Sequence, residues 1–175
     1  IILKRNDPSA VAKQVSLTEL GSIKINKEER GKMLKAIPRN SVIGFLIGVL
    51  PGAGATIASF LAYGMERNFV SDEEKEKFGK GSVHGLTAPE TANNAACSGA
   101  FVPLLTLGIP GSGTTAVMLG ALLGFGIQPG PRLYITNPEI FWSVIMSMYI
   151  GMVVLLILNL PLIPYIARIL AVPKN

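Results

Sequence analysis

Long stretches of this chain carry no charged side chain. Ser41 to Met65, Thr91 to Pro131 and Ile140 to Ala167 contain no Asp, Glu, Lys or Arg, whereas nearly every charge lies in the first forty residues or between Glu66 and Lys80. Segregation on this scale predicts membrane-embedded helices rather than the amphipathic elements of a soluble domain. As one straight helix the second run would be about 60 Å long, twice the ~30 Å hydrocarbon thickness, so it must fold or break. Pro110 and Gly111 lie near its midpoint, leaving arms of about 27 to 30 Å if both are wholly helical. Leu50 to Gly54 divides the first run into arms of about 15 Å, each half a bilayer. That division fits a discontinuous span or a re-entrant hairpin. The third run reads as a continuous span from Ile140 to Asn159 that Pro161 and Pro164 end or kink, with Trp142, Tyr165 and Arg168 suited to an interface.

The polar stretches predict shorter elements. Residues 1–40 read as a polar connecting segment with one or two amphipathic helices. In one of them, Lys27 to Ile37, Met33, Leu34 and Ile37 fall on one side before Pro38 stops it. Ser71 followed by acidic residues predicts a capped, solvated helix ending at Gly79. Gly44 with Gly48, and Gly120 with Gly124, are small-xxx-small pairs that let helices approach closely.

The two breaks match each other. Aligning Pro51 with Pro110 also pairs Gly52 with Gly111, Gly54 with Gly113 and Thr56 with Thr115, so a PGxGxT unit occurs twice at points of high hydrophobicity. Backbone broken inside a membrane leaves N–H and C=O groups that protein or a wet cavity must satisfy. A helix starting after Gly54 or Gly113 offers free amides and a positive dipole end to an anion. One ending before Pro51 or Pro110 offers carbonyls to a small cation such as Na⁺. The expected anion site is therefore Gly52, Ala53, Gly54, Thr56, Gly111, Ser112, Gly113, Thr114 and Thr115, with Pro51 and Pro110 marking the carbonyls freed for a coupling ion.

Beside the second break, Glu90, Asn93 and Asn94 stand at spacings of three and four on a helix expected to start near Pro89. Amide oxygens suit Na⁺, and Glu90 is the nearby titrating group that proton coupling would need. His84, the only histidine, is expected in a loop contact, and Cys97, the only cysteine, as a small buried thiol.

Composition agrees with the membrane reading: 49% of residues are hydrophobic, 15% are charged and the mean hydropathy is +0.46. The net charge of +5 comes from the leading segment, where Lys and Arg outnumber Asp and Glu. This bias places residues 1–40 in the cytoplasm. No aromatic residues are interleaved with those cations, which argues against nucleic-acid binding. Enzyme motifs fail. Gly111 to Ala116 imitates a dinucleotide fingerprint, but Pro110 interrupts the segment before it, and Phe78 to Ser82 lacks the leading glycine of a phosphate loop. The chain is expected to be no enzyme and to need no cofactor beyond Na⁺ or H⁺. Opening without Met or signal peptide, it is expected to be an excerpt of a longer protein.

The segments GFLIGVLPGAGATIASFLAY, FGKGSVHGLTAPETANNAACSGAFVPLLTLGIPGSGTTAVMLGALL and IQPGP closely resemble the large membrane subunit of tripartite tricarboxylate transporters, the TctA family, from about Ser41 to about Val172. Residues 1–40 resemble the family's variable cytoplasmic connection only in character. The resemblance implies an all-α, multi-pass protein of the bacterial inner membrane with broken or re-entrant helices and inverted repeats, of which residues 41–175 form part of the second half. It implies secondary active uptake of a tricarboxylate or related carboxylate, with a periplasmic substrate-binding protein and a small membrane subunit as partners. It also implies that Pro51 to Thr56, Asn93, Asn94 and Pro110 to Thr115 form the site. A channel with re-entrant helices and a non-transporting scaffold are the alternatives. Saturable, gradient-dependent flux separates the first, and carboxylate binding the second.

Overall fold

The computed structural model describes residues 25–170, with side chains throughout except at 164, 165 and 167–170. The expectations for residues 1–24, and for Tyr165 and Arg168 as interface side chains, lie outside the described residues. Every regular element described is helical: α1 Lys27–Val49, α2 Gly54–Phe69, α3 Asp72–Lys75, α4 Val83–Gly99, α5 Phe101–Leu107, α6 Gly113–Gly124, α7 Leu133–Thr136 and α8 Pro138–Leu170. The described residues divide into two units, 25–143 and 144–170.

Prolines expected to bound or kink helices lie inside them. α1 starts at a capping box, where Asn26 Oδ1 accepts from the Glu28 and Glu29 amides and the Glu29 carboxylate accepts from Asn26 N–H. It then continues through Pro38. The ring removes one donor, but two residues further on the Asn40 side chain donates back to the Ala36 carbonyl at 2.8 Å, and the helix beyond is held by packing. α4 likewise starts at Ser82, whose hydroxyl caps Gly85 N–H, and runs through Pro89. Glu90 is thus a mid-helix residue. α8 passes Pro161 and Pro164 to Leu170, so neither ends it. Pro103 does interrupt a helix: its ring crowds the carbonyl four residues back, and α4 gives way to α5 at Ala100.

Within residues 25–143 the core is a three-helix bundle. α1 and α2 form an antiparallel hairpin about Leu50–Ala53, since Arg39 meets Glu66 on its far side. α4 lies parallel to α1, with Gly44 against Ala92 and Gly48 against Ala96. It runs antiparallel to α2, as the Glu66–His84 and Ser59–Asn93 contacts require. The seam is built from residues four apart: Ala36, Asn40, Gly44 and Gly48 on α1; Ala58, Ala62 and Glu66 on α2; His84, Ala88, Ala92 and Ala96 on α4. A methyl group added at Gly44 or at Gly48 would lie 2.6 Å from the Cα of Ala92 or Ala96, so these backbones touch. The pair Gly120 and Gly124, expected to act similarly, has open space instead.

The acidic helix is shorter than expected. α3 is one turn, its N-cap Ser71 makes no side-chain cap, and the chain turns on to Gly79 at φ +77°. Its charges are more than a wet face, because Glu74 accepts from Lys32 of α1 at 3.0 Å and from Lys77 at 2.6 Å. Among the described residues one helical stretch, Pro138–Ile163, is long and apolar enough to cross a membrane. α6 has 12 residues and is about 18 Å long, well short of a ~30 Å core. Of the two expected arms, the first is helical up to Leu107 apart from the interruption at Ala100, while the second stops at Phe125, short of Pro131.

Candidate functional site

Both PGxGxT units fall where helices stop and start. α1 ends at Val49, Leu50 is its extended C-cap, and α2 begins at Gly54 after a turn in which Leu50 O accepts from Ala53 N–H. Gly52 and Gly54 have φ of +80° and +68°, a left-handed backbone that side chains rarely adopt. At the second break α5 ends at Gly108, φ +71°, with the Ile109 amide reaching the Pro103 carbonyl and the Gly108 amide the Leu104 carbonyl, as in a Schellman ending. The Ile127 to Pro131 segment folds back onto it. Gly130 N–H donates to Leu105 O, and a methyl on Gly108 would lie 2.8 Å from Pro129 O.

The breaks are brought together. A methyl on Gly54 would lie 3.7 Å from the Gly111 carbonyl oxygen, and one on Gly111, which is buried, 3.7 Å from the Gly48 carbonyl oxygen and 3.1 Å from Ala100 Cβ. The C-terminus of α1, the start of α2 and the approach to α6 therefore share one place.

The matched units differ in how their helix starts are satisfied. Ser112 and Thr115 form a capping box on α6: Ser112 Oγ accepts from Thr115 N–H at 3.3 Å, and Thr115 Oγ1 accepts from Ser112 N–H at 2.8 Å. Thr115 is buried by this role. The N-cap of α2 is Ala53, with no side-chain cap, and Thr56 is exposed. Among the described residues no side chain caps the first turn of α2, whereas the first-turn amides of α6 are partly occupied. The carbonyls of Pro103, Leu104 and Leu105 before Pro110 are already bonded to backbone amides.

The polar residues of α4 separate. Asn93 donates to Ser59 Oγ of α2 at 3.1 Å, while Asn94 donates to the Glu90 carbonyl at 2.8 Å and to its carboxylate at 3.2 Å on the exposed side. Consecutive residues lie about 100° apart on a helix, so the one shared face expected for all three becomes two. Cys97, expected buried, is exposed on α4, because Ala92 and Ala96 take the inward positions. Among the described residues no group of His, Cys, Asp and Glu is placed to hold a metal ion.

A second cluster was not foreseen from the sequence. Glu66 is fully buried and its carboxylate accepts four hydrogen bonds, two on each oxygen. Oε2 takes Arg39 Nε at 3.1 Å and Asn40 Nδ2 at 2.8 Å, and Oε1 takes Arg39 Nη2 at 2.5 Å and His84 Nδ1 at 2.7 Å. An ionised carboxylate only accepts, so His84 must carry a proton on Nδ1. His84 is therefore buried in the first turn of α4, not placed in a loop. A signal did exist: Arg39 and Glu66 are the first charges met on either side of Pro51, and a hairpin closing there must pair them.

Residues 2–175 match the Tripartite tricarboxylate transporter TctA family. The chain belongs to that family. Similar to this TctA-family chain is an uncharacterized 52.8 kDa protein of the TAR-I ttuC' 3' region of Agrobacterium vitis, 39% identical over 169 residues, which cover 97% of the chain and 33% of that protein. An uncharacterized protein of the TAR-II ttuC' 3' region of the same organism is 46% identical over 130 residues, 74% of the chain and 53% of the relative. The chain thus spans a third to about half of these relatives. No solved structure matches it. The description of that family is of a tripartite tricarboxylate transporter.

Proposed function

We propose that this TctA-family chain is part of the permease subunit of a binding-protein-dependent secondary transporter, and that its two broken segments meet to form the site for a tricarboxylate or related carboxylate. The observation that carries this reading is the approach of the two breaks, where a methyl added to Gly54 would come within 3.7 Å of the Gly111 carbonyl oxygen, since two matched breaks serving only as kinks have no reason to converge. Depth supports it. From Arg39, in the polar cluster, α1 rises about 15 Å to its end at Val49, half of a ~30 Å hydrocarbon core. A hairpin entering from the cytoplasmic side thus brings Pro51 to Thr56 near the midplane. Residues 1–40 remain in the cytoplasm, in a multi-pass protein of the bacterial inner membrane.

In this site the uncapped start of α2, at Gly54 to Thr56 with Gly52 and Ala53 before it, receives a substrate carboxylate on its amides. Gly111 to Thr115 form the opposite wall. The coupling ion is Na⁺, held by amide oxygens of Asn93 or Asn94 and by carbonyls around Pro51 and Pro110 other than those of Pro103, Leu104 and Leu105, with Glu90 as the titrating group if the ion is H⁺ instead. A related half carrying its own breaks completes the cavity as an inverted repeat, and a periplasmic binding protein and a small membrane subunit complete the transporter. The test is uptake of radiolabelled citrate and of smaller dicarboxylates by the full-length protein with its partner subunits, with Na⁺ replaced by choline. Saturable, Na⁺-dependent uptake supports the proposal. Non-saturating flux indifferent to any ion gradient contradicts it.

A further inference from the structure

Packed between three helices at the end of the bundle remote from the breaks, the Glu66 cluster draws on each of them: Arg39 and Asn40 from α1, Glu66 from α2 and His84 from α4. The rest of the seam carries almost no shape information. Gly44, Gly48, Ala58, Ala62, Ala92 and Ala96 recur at four-residue spacing, so sliding one helix by four residues replaces small side chains with small side chains. In a membrane no hydrophobic force opposes such a slip, because lipid tails are as apolar as the seam. Each helix carries one polar residue in its four-residue row: Asn40, Glu66 and His84.

We infer that Arg39, Asn40, Glu66 and His84 are the register key of the bundle, a positioning cluster that selects one alignment of α2 against α1 and α4 out of several with near-equal apolar packing. In the native alignment the carboxylate is saturated by four donors. A slip of four residues, about 6 Å along the axis, sets Glu66 beside alanine or glycine and leaves a buried charge without partners, a heavy penalty. This is the same physical role that one buried polar residue plays in fixing coiled-coil register. The connection takes up a slip by winding or unwinding a turn at Gly54, and either change carries Gly54 away from the Gly111 carbonyl. The inference does not depend on what the breaks bind.

Disulfide trapping in the full-length protein in native membranes tests it. Ser59 and Asn93 touch at 3.1 Å, so Ser59→Cys with Asn93→Cys, in a Cys97→Ala background, reports the native alignment and removes the one other polar tie between α2 and α4 described above. Ser59→Cys with the native Cys97, and Ala55→Cys with Asn93→Cys in the Cys97→Ala background, report slips of one turn in the two directions. With the cluster intact only the native pair cross-links to a large extent. In the variant Arg39→Leu, Asn40→Ala, Glu66→Ala, His84→Ala the protein still reaches the membrane. There its native cross-link falls at least severalfold, and one or both shifted pairs appear. Cross-linking confined to the native pair in that variant overturns the inference, as does shifted cross-linking with the cluster intact. Failure of the apolar variant to accumulate in the membrane also overturns it, since the cluster is then required for folding as a whole and not for alignment.

Discussion

Gly54 opens α2 facing the carbonyl of Gly111, near enough that an added methyl would sit 3.7 Å from its oxygen. Yet the positions that align in the repeated motif are not equivalent in space. Gly54 needs φ +68°, while its sequence counterpart Gly113 has no such backbone and open space around it. Gly54→Val therefore strains the backbone at the break by about 1–3 kcal/mol and abolishes carboxylate uptake. Gly113→Ala preserves both the fold and most of the uptake. Side-by-side uptake assays on membranes with matched protein levels check this, and equal loss in the two variants contradicts it.

Ser112 and Thr115 are a cap before they are anything else. Ser112→Ala removes the acceptor for Thr115 N–H and should lower stability by about 0.5–2 kcal/mol, read as a lower unfolding midpoint in detergent. Thr56→Ala, at the uncapped and exposed start of α2, leaves that midpoint unchanged and raises the substrate concentration for half-maximal uptake. The opposite pattern would show that the roles of the two threonines are exchanged.

Gly48→Ala places a methyl 2.6 Å from Ala96 Cα. The clash is with backbone on both sides, so the helices must part, at a cost of about 1–3 kcal/mol. Gly64→Ala, mid-helix in α2 with nothing within 4 Å, should instead stabilise by about 0.5–1 kcal/mol. Thermal unfolding of the two variants beside the parent protein separates them.

The breaks were legible because proline and paired glycines in an apolar run leave few alternatives. Pro38 and Pro89 misled for the complementary reason. A proline removes one hydrogen bond locally, but the backbone contacts of Gly44 and Gly48 with α4 are invisible along the chain and outweigh that loss. The same small-xxx-small spacing at Gly120 and Gly124 carries no close approach, since spacing alone does not say whether a second helix is there. Glu66 escaped notice because its three partners come from two other helices, and a charge at the border of an apolar run looks like the end of a membrane segment. Glu90, Asn93 and Asn94 were placed on the right helix, but its start at Ser82 and its neighbours decide which way each side chain turns.

The clasp between α1 and the turn after α2 depends on pH. Hydrogen bonds from Lys77 and Lys32 hold the Glu74 carboxyl below the usual carboxylate range, and the hydrogen bonds that Lys32 donates to Glu28 and Glu74 raise its ammonium. A depressed carboxyl contributes stability that is complete above its unfolded value and is lost as pH falls through its lower folded value. A spin label on Glu76→Cys, in a Cys97→Ala background, should be ordered at neutral pH and gain mobility only below the normal carboxylate range. With Lys32→Gln the gain begins at higher pH. Identical profiles with and without Lys32 contradict the clasp.

Residues 1–40 face the cytoplasm in this account. Gly31→Cys, exposed on α1 with nothing within 4 Å, should resist a membrane-impermeant thiol reagent in intact cells lacking Cys97 and react once the membrane is opened. Labelling in intact cells reverses the orientation.

The central claim is that the paired breaks bind carboxylate in the membrane. Its most direct measurement is binding of radiolabelled citrate and smaller dicarboxylates to the purified full-length protein in nanodiscs, in Na⁺ and in choline, comparing the parent with Gly54→Val and Gly113→Ala. The account predicts saturable binding of at least one carboxylate that Na⁺ strengthens, that Gly113→Ala retains and that Gly54→Val loses while remaining folded. Undiminished binding by folded Gly54→Val would contradict it.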